Sequence, residues 1–242
     1  MSCPIVILML PSSDVVDPVA MALARTEKSR RCRLIVDMSS SEPLRTRELA
    51  RALLDAGIDL VDAPVSGGVA GAEAGSLTVM VGGEPDAIER TRAVLGPLAG
   101  SVVATGAVGT GHAAKALNNL LSATTMLATS EALITATRFG IAAETMLAVL
   151  NGSSGRSWST EMKFPRYVLT RTFSSAFSAA LLDKDVAIAG GLFDTLELDA
   201  PVAQAVVARW HELAALLPSG ADHTEIVRPL EETSGVTLRC RE

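Results

Sequence analysis

The chain has 242 residues, enough for one large domain or two modest ones. Its 27 acidic and 21 basic residues give a net charge of −6, which disfavours a nucleic-acid binder because phosphate contacts need a basic face. Aromatic residues make up only 3% of the chain, too few for base-stacking platforms, and the three scattered cysteines exclude a disulfide framework and favour a reducing, cytoplasmic setting.

The first half of the sequence alternates short apolar strands with helices. Strands are predicted at 5–10, 34–37 and 58–62, with helices between them at 17–29 and 41–56. A strand at 77–81, a helix at 85–95 and a short strand at 102–104 follow. Because strands that alternate with helices in this way form parallel sheets, the pattern predicts an α/β fold of the incomplete Rossmann-like type.

The second half contains only helical patterns. A proline-free stretch at 110–139 that stops at Gly140 predicts one long helix. Further helices are predicted at 143–150, 179–196, 202–217 and 222–232, with a looser segment rich in Ser and Thr at 151–178. We therefore predict an α/β domain at 1–108 joined by the long helix to an all-helical domain at 109–242. The apolar run at 5–10 is too short to span a membrane, so no membrane association is expected.

A glycine-rich segment at 62–71 follows the third predicted strand. Ser66, Gly67 and Gly68 offer a hydroxyl group and approachable backbone N–H groups at the carboxyl end of a strand, where open α/β sheets place ligands. Such a turn could hold a small carboxylate. The alternative is an ordinary glycine-rich turn.

Lys115 and Asn119 lie four residues apart in the long helix and therefore share one of its faces. The positive end of the helix dipole disfavours an ammonium near Lys115 and would lower its pKa, and such a lysine can exchange a proton with a hydroxyl or carbonyl oxygen. A solvated surface lysine is the alternative. The preceding Gly109 and Gly111 superficially suggest a dinucleotide fingerprint, an interpretation we reject because no further βαβ unit follows them.

A third candidate is Lys184, which is followed by Asp185 inside an otherwise apolar helix. A cation there could hold a phosphate, a cofactor amide or a substrate carboxylate. An ion pair within the helix, on a solvated face, is the alternative. The three histidines share no metal-ligand spacing, so no metal site is predicted. His112 is expected to cap its helix, and contact with the pocket is the alternative.

Taken in order, the segments at 62–68, 106–119 and 184–185 resemble motifs of the β-hydroxyacid dehydrogenase family, of the 3-hydroxyisobutyrate dehydrogenase and tartronate-semialdehyde reductase type. The resemblance extends over nearly the whole chain. It implies that Lys115 is the catalytic acid/base and that Asn119 positions this lysine and the substrate oxygen. The residues it implies for substrate binding are Ser66, Gly67, Gly68 and Lys184. The residues it implies for binding NAD or NADP are Leu10, Pro11, Ser40 and Lys184.

One departure from the family is expected to matter. The glycine-rich strand–turn–helix that opens the family's nucleotide-binding domain has no counterpart here, so about two βα units, roughly 60 residues, would be missing. We therefore expect weak cofactor binding, and an exposed sheet edge that needs cover. The expected function is hydride transfer between a small 3-hydroxy acid and NAD(P), in a homo-oligomer (a dimer or tetramer). The alternative is a non-catalytic remnant that acts as an oligomerisation or carboxylate-binding module.

Overall fold

The computed structural model describes residues 3–25 and 31–240. The chain divides into two compact units, Met1–Ala116 and Leu117–Glu242, so the first two turns of the long helix belong to the N-terminal unit. An α/β region followed by a helical region, as the sequence predicts, is confirmed. The expected end of the first helix at Ser29 lies outside the described residues.

In residues 3–25 and 31–116, the N-terminal unit has six strands and four helices, with the start of a fifth helix. The strands are β1 (Ile5–Leu8), β2 (Leu34–Asp37), β3 (Asp59–Asp62), β4 (Val65–Ser66), β5 (Leu77–Gly82) and β6 (Ala99–Gly106). The helices are α1 (Ser13–Arg25), α2 (Pro43–Leu54), α3 (Gly68–Glu73) and α4 (Pro85–Leu95). Proline at the first position of α2 and of α4 begins each helix, since its fixed φ suits a helix and its missing N–H would have no partner there.

The strands form one sheet in the order β1–β2–β3–β5–β4, with β6 also paired to β5. The first three strands are parallel and in register, so that Leu8, Asp37 and Asp62 end level with one another at the same edge. The sheet is mixed beyond this point. β5 runs antiparallel to β3 and β4 but parallel to β6, because only β4 and the short α3 connect β3 to β5 in place of a full crossover helix.

Both faces of β2, in the parallel part of the sheet, are covered by apolar side chains, as a parallel strand requires. Leu34 and Val36 point into one cluster, whereas Ile35 between them points into the other, which follows from the two-residue period of a strand. The second cluster includes Leu49 and Leu53 of α2. This packing holds the carboxyl edge of β1, β2 and β3 in place.

The C-terminal unit is helical. Its elements are the part of α5 (Thr110–Phe139) from Leu117 onward, α6 (Ala143–Asn151), a π-helix (Ser159–Val168), α7 (Ala179–Thr195), α8 (Pro201–Ala214), a 3-10 helix (His223–Ile226) and α9 (Val227–Ser234). The predicted loose segment contains the π-helix, whose wider period explains why no 3.6-residue pattern is visible. Over the described part of the chain, no helix is long and apolar enough to cross a bilayer.

Candidate functional site

The loops that follow β1 and β2 are tied together at the carboxyl edge of the sheet. The Leu10 N–H donates to Ser39 Oγ at 2.9 Å. Asp37, at the end of β2, accepts hydrogen bonds from the Ser39 N–H at 3.0 Å and from Ser41 Oγ at 2.9 Å. The residues expected to contact a cofactor lie in these loops, Leu10 and Ser40 half-buried and Pro11 exposed.

The loop predicted to hold a carboxylate begins in β4, where Ser66 pairs with Thr78. Gly67 and Gly68 follow with φ values of 134° and 63°, a region that favours glycine. A Cβ at Gly67 would lie 3.0 Å from a methyl group of Leu77, whereas nothing lies within 4 Å of the corresponding position at Gly68. The backbone of this loop is therefore exposed on the side of Gly68.

Asp62, at the end of β3, fixes the N-terminus of α5. Its carboxylate accepts hydrogen bonds from the backbone N–H groups of Gly109 at 2.7 Å and His112 at 2.8 Å. Burial raises the pKa of Asp62, and the nearby His112 and these N–H groups oppose that rise. Two of the N–H groups at the start of α5, which the helix itself leaves unsatisfied, thus find a carboxylate from the adjacent strand.

Gly109, just before α5, and Gly111, in its first turn, serve close packing. A Cβ at Gly109 would lie 2.8 Å from the backbone oxygen of Pro43, and one at Gly111 would lie 2.5 Å from that of Met80. The space that a dinucleotide fingerprint leaves for a pyrophosphate is here filled by the protein's own backbone. This is consistent with our rejection of that interpretation.

His112 does not cap α5 with its side chain. Its imidazole is buried, with Nδ1 at 2.8 Å from Thr46 Oγ1 and Nε2 at 3.7 Å from Asp37 Oδ2. The carboxylate of Asp62, rather than the imidazole, bonds to the N–H groups of the helix. His112 thus joins the strand ends to α2.

Lys115 lies half-buried in the second turn of α5 and is followed by the buried Ala116. Asn119 comes one turn later and is almost completely buried. The helix therefore carries both residues on the face that their spacing predicts.

Within the C-terminal unit, Asp185 connects Asn119 to Lys184. Asn119 Nδ2 donates to Asp185 Oδ2 at 2.6 Å, and Lys184 Nζ lies 3.3 Å from Asp185 Oδ1. The Asp185 side chain is 4% exposed and that of Lys184 is 27% exposed, so this ion pair does not lie on a solvated face. Two of the predicted site residues, far apart in sequence, are thereby brought together.

Lys163 is a buried lysine that no pattern in the sequence indicates. Lys163, in the π-helix, is 8% exposed, and its Nζ donates to Ser122 Oγ at 2.6 Å. Its charge helps to lower the pKa of the buried His223. Lys163 lies in a segment without a periodic pattern, so its burial could not be predicted. Asp62, by contrast, stands at the end of a predicted strand, and its position at the sheet edge could be predicted.

The described residues suit part of a dinucleotide. Half-buried Leu10 and Ser40 lie at the carboxyl edge of the sheet, the position at which α/β sheets bind nucleotides. The turns from β1 to α1 (9–12) and from β2 to α2 (38–42) contain no glycine for a close approach to pyrophosphate. In the ranges 3–25 and 31–240, no group of three or more His, Cys, Asp or Glu side chains is arranged to hold a metal ion.

An α/β unit whose first three strands end level at one edge, continued through a long helix into a helical unit, resembles the architecture of two-domain, nucleotide-dependent dehydrogenases. Family models agree. The NAD-binding domain of NADP-dependent 3-hydroxyisobutyrate dehydrogenase matches residues 109–230, and the NAD-binding domain of 6-phosphogluconate dehydrogenase matches residues 1–137. The chain belongs to the β-hydroxyacid dehydrogenase family.

Individual relatives support the same conclusion. The chain is 40% identical over 156 residues to 2-(hydroxymethyl)glutarate dehydrogenase of Eubacterium barkeri, covering 64% of this chain and 52% of the relative. It is 37% identical over 191 residues to mitochondrial 3-hydroxyisobutyrate dehydrogenase of Pongo abelii, covering 76% and 57% respectively. The chain thus spans little more than half the length of these curated relatives.

Among solved structures, 3-hydroxyisobutyrate dehydrogenase of Mycobacterium tuberculosis with L-serine superposes with a TM-score of 0.83. The two sequences are 32% identical, and the match covers 94% of this chain and 79% of that one. The fold of the described chain is therefore that of a known hydroxyacid dehydrogenase.

Proposed function

We propose that the protein interconverts a small 3-hydroxy acid and its semialdehyde, with NAD or NADP as the hydride acceptor or donor. The observation that carries this proposal is the α5 face with half-buried Lys115 and, one turn on, buried Asn119 bonded to Asp185. Membership of the β-hydroxyacid dehydrogenase family supports the reaction type.

The names of these relatives suggest the chemical class of substrate. 3-Hydroxyisobutyrate, 2-(hydroxymethyl)glutarate and L-serine all carry a hydroxymethyl group on the carbon that bears a carboxylate. A substrate of this kind needs one group that binds the carboxylate and another that moves the hydroxyl proton. We assign the first role to Ser66, Gly67 and Gly68, together with the cation of Lys184, and the second to Lys115.

The residues act in the oxidation as follows. NAD(P), when bound beside Leu10, Pro11 and Ser40, supplies the hydride acceptor. Lys115, as a neutral amine, accepts the hydroxyl proton as the carbonyl forms, and in the reverse reaction it returns that proton to the carbonyl oxygen. Asn119 orients the substrate oxygen toward the amine.

Substitution of Lys115 tests the proposal. The purified chain is incubated with 3-hydroxyisobutyrate, L-serine or D-glycerate and with NAD or NADP, and the absorbance of the reduced nicotinamide is followed. We expect Lys115→Ala to lower kcat roughly 100-fold or more, since positioned proton transfer contributes that much. Lys115→Arg is the matched control, because it keeps the charge but cannot give up a proton near neutral pH, and it should be as inactive. Full activity in either variant would contradict the assignment.

A carboxylate-binding or oligomerisation module without catalysis is the second candidate. It is favoured by the absence of glycine from the turns at 9–12 and 38–42. Failure of the chain to bind NAD or NADP at millimolar concentration, with retained binding of 3-hydroxyisobutyrate in calorimetry, would support this candidate instead.

We also propose that the protein is a cytoplasmic homo-oligomer, either a dimer or a tetramer. The support is exposed apolar side chains on α5, among them Leu121 and Phe139, and three cysteines that are unpaired thiols. Sedimentation analysis at micromolar concentration tests the oligomeric state, and a monomer would refute it.

A further inference from the structure

A short polar contact at a predicted site residue is made by Asp185, a group to which the proposed mechanism gives no role. Asn119 Nδ2 donates to Asp185 Oδ2 at 2.6 Å, between two side chains that are both almost completely buried. A hydrogen bond to a charged group in a buried setting is among the stronger polar interactions in proteins.

This contact determines which way the Asn119 amide faces. The side-chain oxygen and nitrogen of an asparagine are nearly equal in shape, so packing alone does not choose between the two orientations. An ionised carboxylate is only an acceptor, so it selects the orientation in which the NH2 group faces Asp185. The Asn119 oxygen then faces away from Asp185, and Asn118 Nδ2 approaches it at 3.3 Å.

The other carboxylate oxygen of Asp185 acts on a second site residue. Lys184 Nζ lies 3.3 Å from Asp185 Oδ1. Consecutive residues on a helix point in different directions, so the Lys184 side chain must bend toward its neighbour to make this contact. One oxygen of this buried carboxylate thus accepts a hydrogen bond from Asn119, whereas the other forms an ion pair with Lys184 without hydrogen-bond geometry.

We propose that Asp185 is a positioning residue, which fixes the orientation of the Asn119 amide and the location of the Lys184 ammonium for hydride and proton transfer. The proposal rests on the proposed function, since it gives Asp185 a part in the same reaction. Asp185 itself does not touch the reacting atoms. Its contribution is that two polar groups are already ordered when the substrate arrives.

The first test compares Asp185→Asn with Asp183→Asn. Asparagine at 185 keeps the shape but can both donate and accept, so it no longer enforces one orientation of Asn119. We expect kcat to fall roughly 10- to 100-fold, the range for a lost hydrogen bond to a charged group, with a smaller change in KM. Asp183, on the same helix, contacts the exposed His211 at 3.0 Å, and its variant should retain wild-type kcat.

Asp185→Glu is a second variant in case the asparagine variant does not fold. It keeps an acceptor-only carboxylate, and it should retain more kcat than Asp185→Asn. A structural role alone would lower the melting temperature of both variants and leave kcat of the folded fraction unchanged. That result would overturn the proposal.

The second test needs no turnover. The side-chain amide of Asn119 is identified in a ¹H–¹⁵N spectrum as the signal that Asn119→Ser removes. We expect this amide to exchange its hydrogens slowly in the wild type and in Asp183→Asn. In Asp185→Asn we expect the slow exchange to be lost. An unchanged signal in Asp185→Asn would overturn the proposal. If the wild type has no turnover, the proposed function fails, and the spectrum still decides whether Asp185 orients Asn119.

Discussion

Replacement of His223 should change how the stability of the C-terminal unit depends on pH. His223 is buried at the start of the 3-10 helix, and burial lowers its pKa to about 4 from an ordinary value of 6.5. The positive charge of Lys163 acts in the same direction, whereas Asp222 and the Phe177 carbonyl oppose the shift. The folded protein therefore holds a neutral imidazole at pH values at which the unfolded chain is protonated.

The sign of the effect follows from this difference. A base whose pKa is lower in the folded state contributes its full stability above the unfolded pKa, and that contribution is lost as pH falls toward the folded pKa. Protonation of His223 in the unfolded chain should lower the free energy of unfolding by about 1 kcal/mol between about pH 7.5 and about pH 5.8. The total loss should reach about 3 kcal/mol near pH 4 and below.

The two tryptophans make the assay specific. Trp158 and Trp210 both lie in the C-terminal unit, and Trp210 is completely buried, so urea unfolding followed by fluorescence reports on this unit. The free energy of unfolding is measured at about pH 7.5 and at about pH 5.8. Both values lie above the isoelectric point of about 5.2, which limits aggregation. We expect His223→Asn to remove most of the pH dependence of the free energy of unfolding that the wild type shows.

His211→Asn provides the matched control, because the His211 side chain is 75% exposed and its removal leaves the buried imidazole in place. This control should keep the pH dependence of the wild type. If His223→Asn and the wild type lose equal stability between the two pH values, the buried imidazole is not the cause and the reasoning is refuted.

Two further predictions concern the packing of the chain. Gly111→Ala should destabilise the N-terminal unit by about 3 kcal/mol in urea unfolding followed by circular dichroism, since its Cβ would lie 2.5 Å from the Met80 backbone oxygen. Gly191→Ala, in α7, is the control, because nothing lies within 4 Å of the new Cβ. It should raise the free energy of unfolding by about 0.5–1 kcal/mol. Asp62→Asn should lower the free energy of unfolding by about 2 kcal/mol in the same measurement, because an amide has a single acceptor oxygen for the N–H groups of Gly109 and His112. An unchanged unfolding midpoint would contradict this role of Asp62.

Local signals in the sequence account for the elements that were predicted well. α4 and α5 begin and end at the predicted residues, because Pro85 occupies the first turn of α4 and Gly140 follows the last residue of α5. β2 likewise has its predicted bounds, since it is a short apolar run buried on both faces.

Elements that depend on distant partners were not predictable in the same way. β4 is two residues long and exists because it pairs with β5, and the antiparallel direction of β5 follows from that pairing. The π-helix at 159–168 has a period that patterns of the ordinary helix do not detect. α1 begins at Ser13 rather than at 17, so Pro18 lies inside it as the sixth residue, where it cannot donate the backbone hydrogen bond that a helix normally makes at that position.

The candidate site shows the same division. Lys115 and Asn119 are recognisable from their spacing, and Lys184 from a charge in an apolar helix. The bond from Asn119 to Asp185 joins positions 66 residues apart, so only the packing of α5 and α7 shows it. The predicted roles of these residues in catalysis stay predictions until the Lys115 and Asp185 variants are measured.

The glycines of the two candidate motifs differ in what surrounds them, and this difference bears on which motif faces a ligand. At Gly109 and Gly111 the position of a Cβ is filled by backbone of the N-terminal unit, so these residues are needed for α5 to approach the sheet. At Gly68 the same position is open, and its positive φ of 63° is the only constraint. A ligand can approach the backbone at Gly68 but not at Gly111. The contrast therefore favours the 66–68 loop, rather than Gly109 and Gly111, as the place where a substrate carboxylate meets backbone N–H groups.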